Sequence, residues 1–311
     1  MHLALPPVAV GRLSGLSPPV QGALWMCAAA TAFAVMINLV RHLTDLFDPL
    51  QVVFFRNVFG LLAMLPWLAR SGVGVLRTRR LGLHMARAAV AMAAMVLWFT
   101  TLSLMPLAEA TALSFTAPMF TSLLAVLVLG EVMRARRWTA IGIAFIGALV
   151  IIRPGSEALD PVALLALVTA LVWGTGTVMV KVMSRTESAG AIVTWVTLLL
   201  TPLSLIPALF VWITPTAEQL IWCALLGVAG SIGHLCLTRA LKVADATVVV
   251  PFDYLRLPVV AVIAFVVFGE QPDLWTWIGG AIVAGSGIYI ARREASLGVS
   301  PPTAGSPAPQ V

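Results

Sequence analysis

Residues 107–131 read LAEATALSFTAPMFTSLLAVLVLGE, and residues 243–270 read VADATVVVPFDYLRLPVVAVIAFVVFGE. Each stretch opens on A-[ED]-A-T, runs through apolar residues interrupted by proline, and stops at Gly-Glu. A W-T-x-I-G element then follows in each, at Trp138–Gly142 and Trp275–Gly279. The chain is therefore a duplication. Its apolar helices are interrupted at corresponding places, which is the sequence signature of a carrier built from two repeats.

Composition fixes the solvent. Apolar residues make up 60% of the 311 and charged ones 10%, against roughly a quarter charged in a soluble domain. The net charge of +6 sits mostly as arginines in short loops between apolar runs, so it reads as membrane orientation and excludes nucleic-acid binding. Cys27, Cys223 and Cys236 fall inside apolar runs. The last two, on one predicted helix, lie about 20 Å apart at 1.5 Å per residue, too far for a disulfide. No metal-ligand spacing occurs, and nothing calls for a cofactor. A cleaved signal peptide, with Arg12 as its basic part and Ala28–Ala30 as the cleavage site, is a competing reading of the start. The run Gly22–Val40 is long enough to span, however, and the repeat needs it as a first helix.

Ten spans are predicted near 21–41, 50–69, 82–104, 107–129, 138–153, 161–183, 190–212, 218–239, 246–268 and 274–291, most approaching the ~20 residues that cross a bilayer. Residues 1–18 and 294–311, rich in Pro, Ser and Gly, are expected to be disordered tails. The repeats are assigned to 19–154 and 160–293. The even loops carry Arg70, Arg77, Arg79, Arg80, Arg134, Arg136, Arg137, Arg185 and Lys242, while the odd loops carry only Arg41 and Arg153. Both termini are thus expected in the cytoplasm. Five spans per half inverts the second repeat. GEVMRARRW should then face inward and its counterpart GEQPDLW outward; the basic residues are present in the first and absent from the second.

The motifs A-E-A-T…A-P…L-G-E, W-T-x-I-G…R-P-G and their second-half echoes, with FFRN at Phe54–Asn57 and PFDYLRLP at Pro251–Pro258, resemble the EamA branch of the drug/metabolite transporter superfamily over roughly residues 20–293. The resemblance implies a bacterial inner membrane and an all-α membrane fold, an inverted 5+5 repeat whose helices 1–4 and 6–9 surround a central cavity with helices 5 and 10 beside it. Substrates implied by the family are amino acids, S-adenosylmethionine, riboflavin and nucleotide-related metabolites.

Charges inside spans cost about 2.5–3.5 kcal/mol each at a helix centre, so those present are candidate substrate contacts. Arg56 and Arg256 are candidates to hold an anionic group, and Asp253 to meet an ammonium or exchange a proton. His234 is a second proton candidate, and Asn38 a polar one. Asp253 and Arg256, three apart, share a face, and the alternative is that they pair and only fix packing. Arg87 is assigned to anchoring near the inner surface. Pro118 and Pro258 stand thirteen and twelve residues before the Gly-Glu carboxylates Glu131 and Glu270, and free carbonyls near mid-helix. The aromatic residues at that depth include Trp98, Phe115, Trp173 and Tyr254, which could stack on a planar or cationic ligand. Glu109, Asp245, Glu131 and Glu270 are assigned to helix ends, as caps. Small residues in helices 5 and 10 predict close contact, within one chain or in a homodimer.

The function expected is secondary transport of a small organic metabolite around a midplane site. An amino acid or derivative comes first, then a planar compound such as riboflavin, S-adenosylmethionine or a nucleoside. Partners are that metabolite, the bilayer and, as open alternatives, a coupling proton or ion and a second copy of the chain. Ser231 and His234, one turn apart, could suggest a membrane-embedded enzyme, but no orienting acid or oxyanion loop accompanies them.

Overall fold

A computed structural model describes residues 17–71, 78, 80–130, 135–152, 161–183, 186–187, 189–244 and 250–296. Its helices are α1 (Pro18–Thr44), α2 (Pro49–Ser71), α3 (Leu81–Leu104), α4 in two parts (Leu107–Ser114 and Ala117–Leu129) and α5 (Ala135–Ile152). The second half comprises α6 (Pro161–Met183), α7 (Ala189–Phe210), α8 (Ala217–Val243), α9 (a 3-10 segment Val250–Leu255 joined to Arg256–Phe268) and α10 (Leu274–Ser296). No strand occurs among the described residues. Six of these helices are long and apolar enough to cross a bilayer unaided, and α2, α5 and α10 contribute shorter apolar stretches. The expected spans agree within a few residues, because apolar run length sets helix length when the backbone must satisfy itself in lipid. Both predicted tails fall almost wholly outside the described residues.

The helix ends explain the repeated Gly-Glu. Gly130 and Gly269 take φ of 65° and 71°, and each donates its amide to the final turn of its helix, α4 and α9 respectively. A left-handed residue ends a helix cheaply only when it lacks a Cβ. Polar side chains start other helices. Thr216 and Gln219 form a reciprocal capping box at α8, and the Asp273 carboxylate accepts from the Thr276 amide at 2.7 Å to begin α10.

The packing carries the inverted symmetry. α1 lies along α8 as α3 lies along α6; α2 crosses α8 as α7 crosses α3; α1 meets α9 as α6 meets α4. Three contacts map onto themselves: α2 on α7, α4 on α9, and α5 on α10. Replacing each helix by the one five places on carries each of these named contacts onto another of them, so the fold is the predicted inverted 5+5 repeat. α5 and α10 pack against each other, backbone to backbone. A Cβ on Gly279 would sit 2.6 Å from the Gly147 carbonyl oxygen, and one on Gly147 would sit 3.0 Å from the Gly279 oxygen. The small residues at this crossing therefore serve a contact within the chain.

Candidate functional site

The two interrupted helices meet each other. α4 breaks at Phe115–Thr116, with Pro118 in the first turn of its second part. α9 unwinds to 3-10 geometry through Leu255, with Pro258 just inside its α-helical part. Proline has no amide hydrogen, so the carbonyls four residues before, on Ser114 and Tyr254, lose their helical donors. Across the gap the Phe115 and Tyr254 rings pack edge to face, 4.7 Å between centroids. The Arg256 guanidinium lies 5.1 Å from the Phe115 ring centre, and it donates from Nη2 to Asp253 Oδ2 at 3.2 Å. The ion pair raised as the alternative is thus formed, while Asp253 stays 29% exposed and Arg256 Nε is buried without a hydrogen-bond partner among the described residues. Four of the residues singled out from sequence converge here: Phe115, Asp253, Tyr254 and Arg256. The cluster offers an accessible carboxylate, a guanidinium edge and two aromatic rings around unwound backbone.

A second cluster joins α1, α2 and α8. Gly230 leaves room for Arg56, whose Nε would be 3.4 Å from a Cβ placed there. Arg56 donates from Nη1 to Asn57 Oδ1 at 3.2 Å, and Asn57 donates to Ser204 Oγ at 3.3 Å. On the same helix as Gly230, His234 packs against the Phe33 ring of α1 at 5.1 Å, edge to face. His234 is nevertheless exposed, so it borders open space beside α1. The pattern along its helix locates that space. Ile221, Leu225, Val228 and Ile232 form one exposed apolar stripe, and His234, Thr238 and Leu241 are exposed on the opposite side. The first stripe faces lipid and the second lines the lumen.

Trp98 of α3 and Trp173 of α6 form a third group, 6.3 Å apart and edge to face; Trp98 is buried and Trp173 is 44% exposed. Asn38 stands apart from all three. It is buried, its amide donates to the Ala34 carbonyl of its own helix at 2.9 Å, and its Oδ1 has no partner among the described residues. Ser231 and His234 are not brought into a nucleophile–base pair, since the Ser231 hydroxyl donates to the Gly227 carbonyl at 2.9 Å. Arg87 turns toward α6, its guanidinium carbon 3.5 Å from where a Gly176 Cβ would be. An apolar crevice of about 220 Å³, lined by Leu83, Leu124, Val128, Val178, Met179, Val182 and Thr175, lies between α3, α4 and α6, away from the polar groups.

One functional grouping escaped the sequence reading. Arg41, at the end of α1, pairs with Glu270 at 3.3 Å and donates to the Leu102 and Ser103 carbonyls at 3.0 and 2.8 Å. Glu270 Oε2 in turn accepts from the Leu107 amide at 2.8 Å. Two side chains thereby draw together the ends of α1, α3 and α9 and the start of α4. The available signal was that Arg41 is the one arginine or lysine in the last turn of α1, as Lys181 is in the last turn of α6.

A family model described as the EamA-like transporter family matches this chain twice, over residues 20–153 and 160–292. A riboflavin transporter of Rhizobium johnstonii is 34% identical over 281 residues, 89% of this chain and 93% of that protein. A riboflavin transporter of Vibrio cholerae is 32% identical, covering 89% of this chain and 94% of its own length. An S-adenosylmethionine uptake transporter of Rickettsia prowazekii is 28% identical, with 88% and 93% covered. A crystal structure aligns with a TM-score of 0.61 at 18% identity, over 88% of this chain and 98% of its own, a likeness of fold alone.

Proposed function

This chain belongs to the EamA-like transporter family, and within it we propose that the protein carries a small planar metabolite of the riboflavin class across the membrane by alternating access. The observation that supports this most directly is the meeting of α4 and α9 at their breaks, where Phe115 and Tyr254 stand beside the Asp253–Arg256 pair. Aromatic edges and faces hold a flat heteroaromatic system, while the carboxylate, the guanidinium and the freed carbonyls hydrogen-bond its polar rim. Amino acids, ranked first from sequence, move behind planar compounds, because the named relatives quoted above transport riboflavin or S-adenosylmethionine. S-adenosylmethionine is the second reading, favoured by the accessible Asp253 carboxylate and by rings that attract a cation. On the positive-inside distribution, both termini face the cytoplasm.

Transport of labelled riboflavin and labelled S-adenosylmethionine into membrane vesicles tests the assignment. Riboflavin should be carried, and Asp253→Asn or Arg256→Ala should lower its transport at least tenfold, because removing one member of the pair leaves the other charge uncompensated. Correctly inserted protein that moves neither compound, or both variants transporting normally, sinks the proposal.

A further inference from the structure

The inverted repeat gives each first-half residue a counterpart, and comparing burial between counterparts shows where the halves differ. The A-x-A-T motif places Trp98 on His234, Leu102 on Thr238 and Met105 on Leu241; the last-turn arginine and lysine place Arg41 on Lys181, hence Phe33 on Trp173 and Ile37 on Thr177. The contacts verify this register independently, since Phe33–His234 maps onto Trp173–Trp98 and both are edge to face. Between α1 and α6 the faces turned to lipid agree: Leu24, Ala28 and Thr31 are exposed, as are Leu164, Val168 and Leu171. The inward faces agree at some positions, Met26 with Ala166 and Ala94 with Gly230 all being buried, and disagree toward the C-terminal ends of the helices. Phe33 and Ile37 are 8% and 1% exposed, whereas Trp173 and Thr177 are exposed. Trp98, Leu102 and Met105 are 5%, 0% and 3% exposed, whereas His234, Thr238 and Leu241 are open. The lumen is therefore open where α6 and α8 end and shut where α1 and α3 end.

The shut end is the one tied by Arg41 and Glu270. Both charges are matched to helix dipoles: Glu270 sits on the amide end of α4, and Arg41 on the carbonyl end of α3. Both side chains keep some access to solvent, 24% and 16%, so parting them would rehydrate charges already at a water-facing mouth.

We propose that the C-terminal halves of α1 and α3 form a second, sealed half of the translocation path, with Ile37, Trp98 and Leu102 on its wall, and that Arg41–Glu270–Leu107 is the latch that seals it. This rests on the carrier reading. In the alternate state the burial pattern exchanges: Ile37, Trp98 and Leu102 open to the outside as Thr177, His234 and Thr238 close.

Leu102→Cys and Thr238→Cys, each on a background with Cys27, Cys223 and Cys236 replaced by alanine, report the two mouths through a membrane-impermeant maleimide applied to either face of vesicles. With the latch intact, Thr238→Cys reacts from the cytoplasmic face and Leu102→Cys reacts slowly from outside. Glu270→Gln keeps an acceptor for the Leu107 amide but loses the charge facing Arg41. It should raise outside labelling of Leu102→Cys at least threefold while lowering inside labelling of Thr238→Cys, and Glu270→Ala should do so further. Rates unchanged in both variants, or rising together, overturn the latch. Metabolite transport is measured separately: reciprocal rates in a protein that transports nothing sink the carrier reading and keep the latch, whereas fixed rates in a transporting protein sink the latch alone.

Discussion

Glu270 shows how a residue can be read correctly in kind and missed in place. Its position beside a helix end marks it as a capping carboxylate, and it does accept a backbone amide. That amide belongs to Leu107, 163 residues away, so the information lacking in the sequence was which helix ends meet. Gly269, its neighbour, is the opposite case, since its left-handed φ of 71° follows from local geometry alone. Gly269→Ala should destabilise the fold by about 1 kcal/mol, the ordinary cost of forcing a Cβ into that region. The melting temperature in detergent should fall by a few degrees with the transported substrate unchanged; an unshifted melting curve contradicts the assignment. Asp253 and Arg256 were legible as costly intramembrane charges, and the cost argument extends no further than marking them. That Arg256 faces Phe115 across the α4–α9 gap required the packing of two helices from different halves.

At the scale of elements, lengths and ends were legible and faces were not. Spans could be placed within a few residues because Pro, Gly and charge punctuate them. A helix between lipid and lumen is apolar on both sides, so its hydrophobic pattern does not separate the two. α8 illustrates this: Ile232 faces lipid while Leu241, equally apolar, lines the lumen. The matched prolines were legible, and their consequence lies in the backbone, since both helices break within a few residues of them. If those breaks serve the site by presenting the Ser114 and Tyr254 carbonyls, Pro118→Ala with Pro258→Ala should restore both helical bonds. Transport should fall at least fivefold while thermal stability holds or rises. A double variant that transports at the original rate would reduce the prolines to packing.

For the whole molecule, the inverted repeat predicts opposite sidedness for equivalent loops. A thiol introduced by Ala135→Cys should react with an impermeant reagent only from the cytoplasmic face, and one introduced by Pro272→Cys only from outside. Reaction of both from one face contradicts the antiparallel threading. The crossing of α5 and α10 bears on how such a body can move. Gly147 and Gly279 bring the two backbones together, with the Ile151, Ile282 and Val283 side chains packed tightly around them, so this pair has little slack to lose. On the proposed alternating-access reading it serves as a keel, common to both conformations, while the helices around the lumen act as the hull that tips from one side to the other. The pivot of transport then lies outside the substrate chamber, in a place no cargo touches, and the shape of the chamber can diverge among relatives without altering the axis about which it swings.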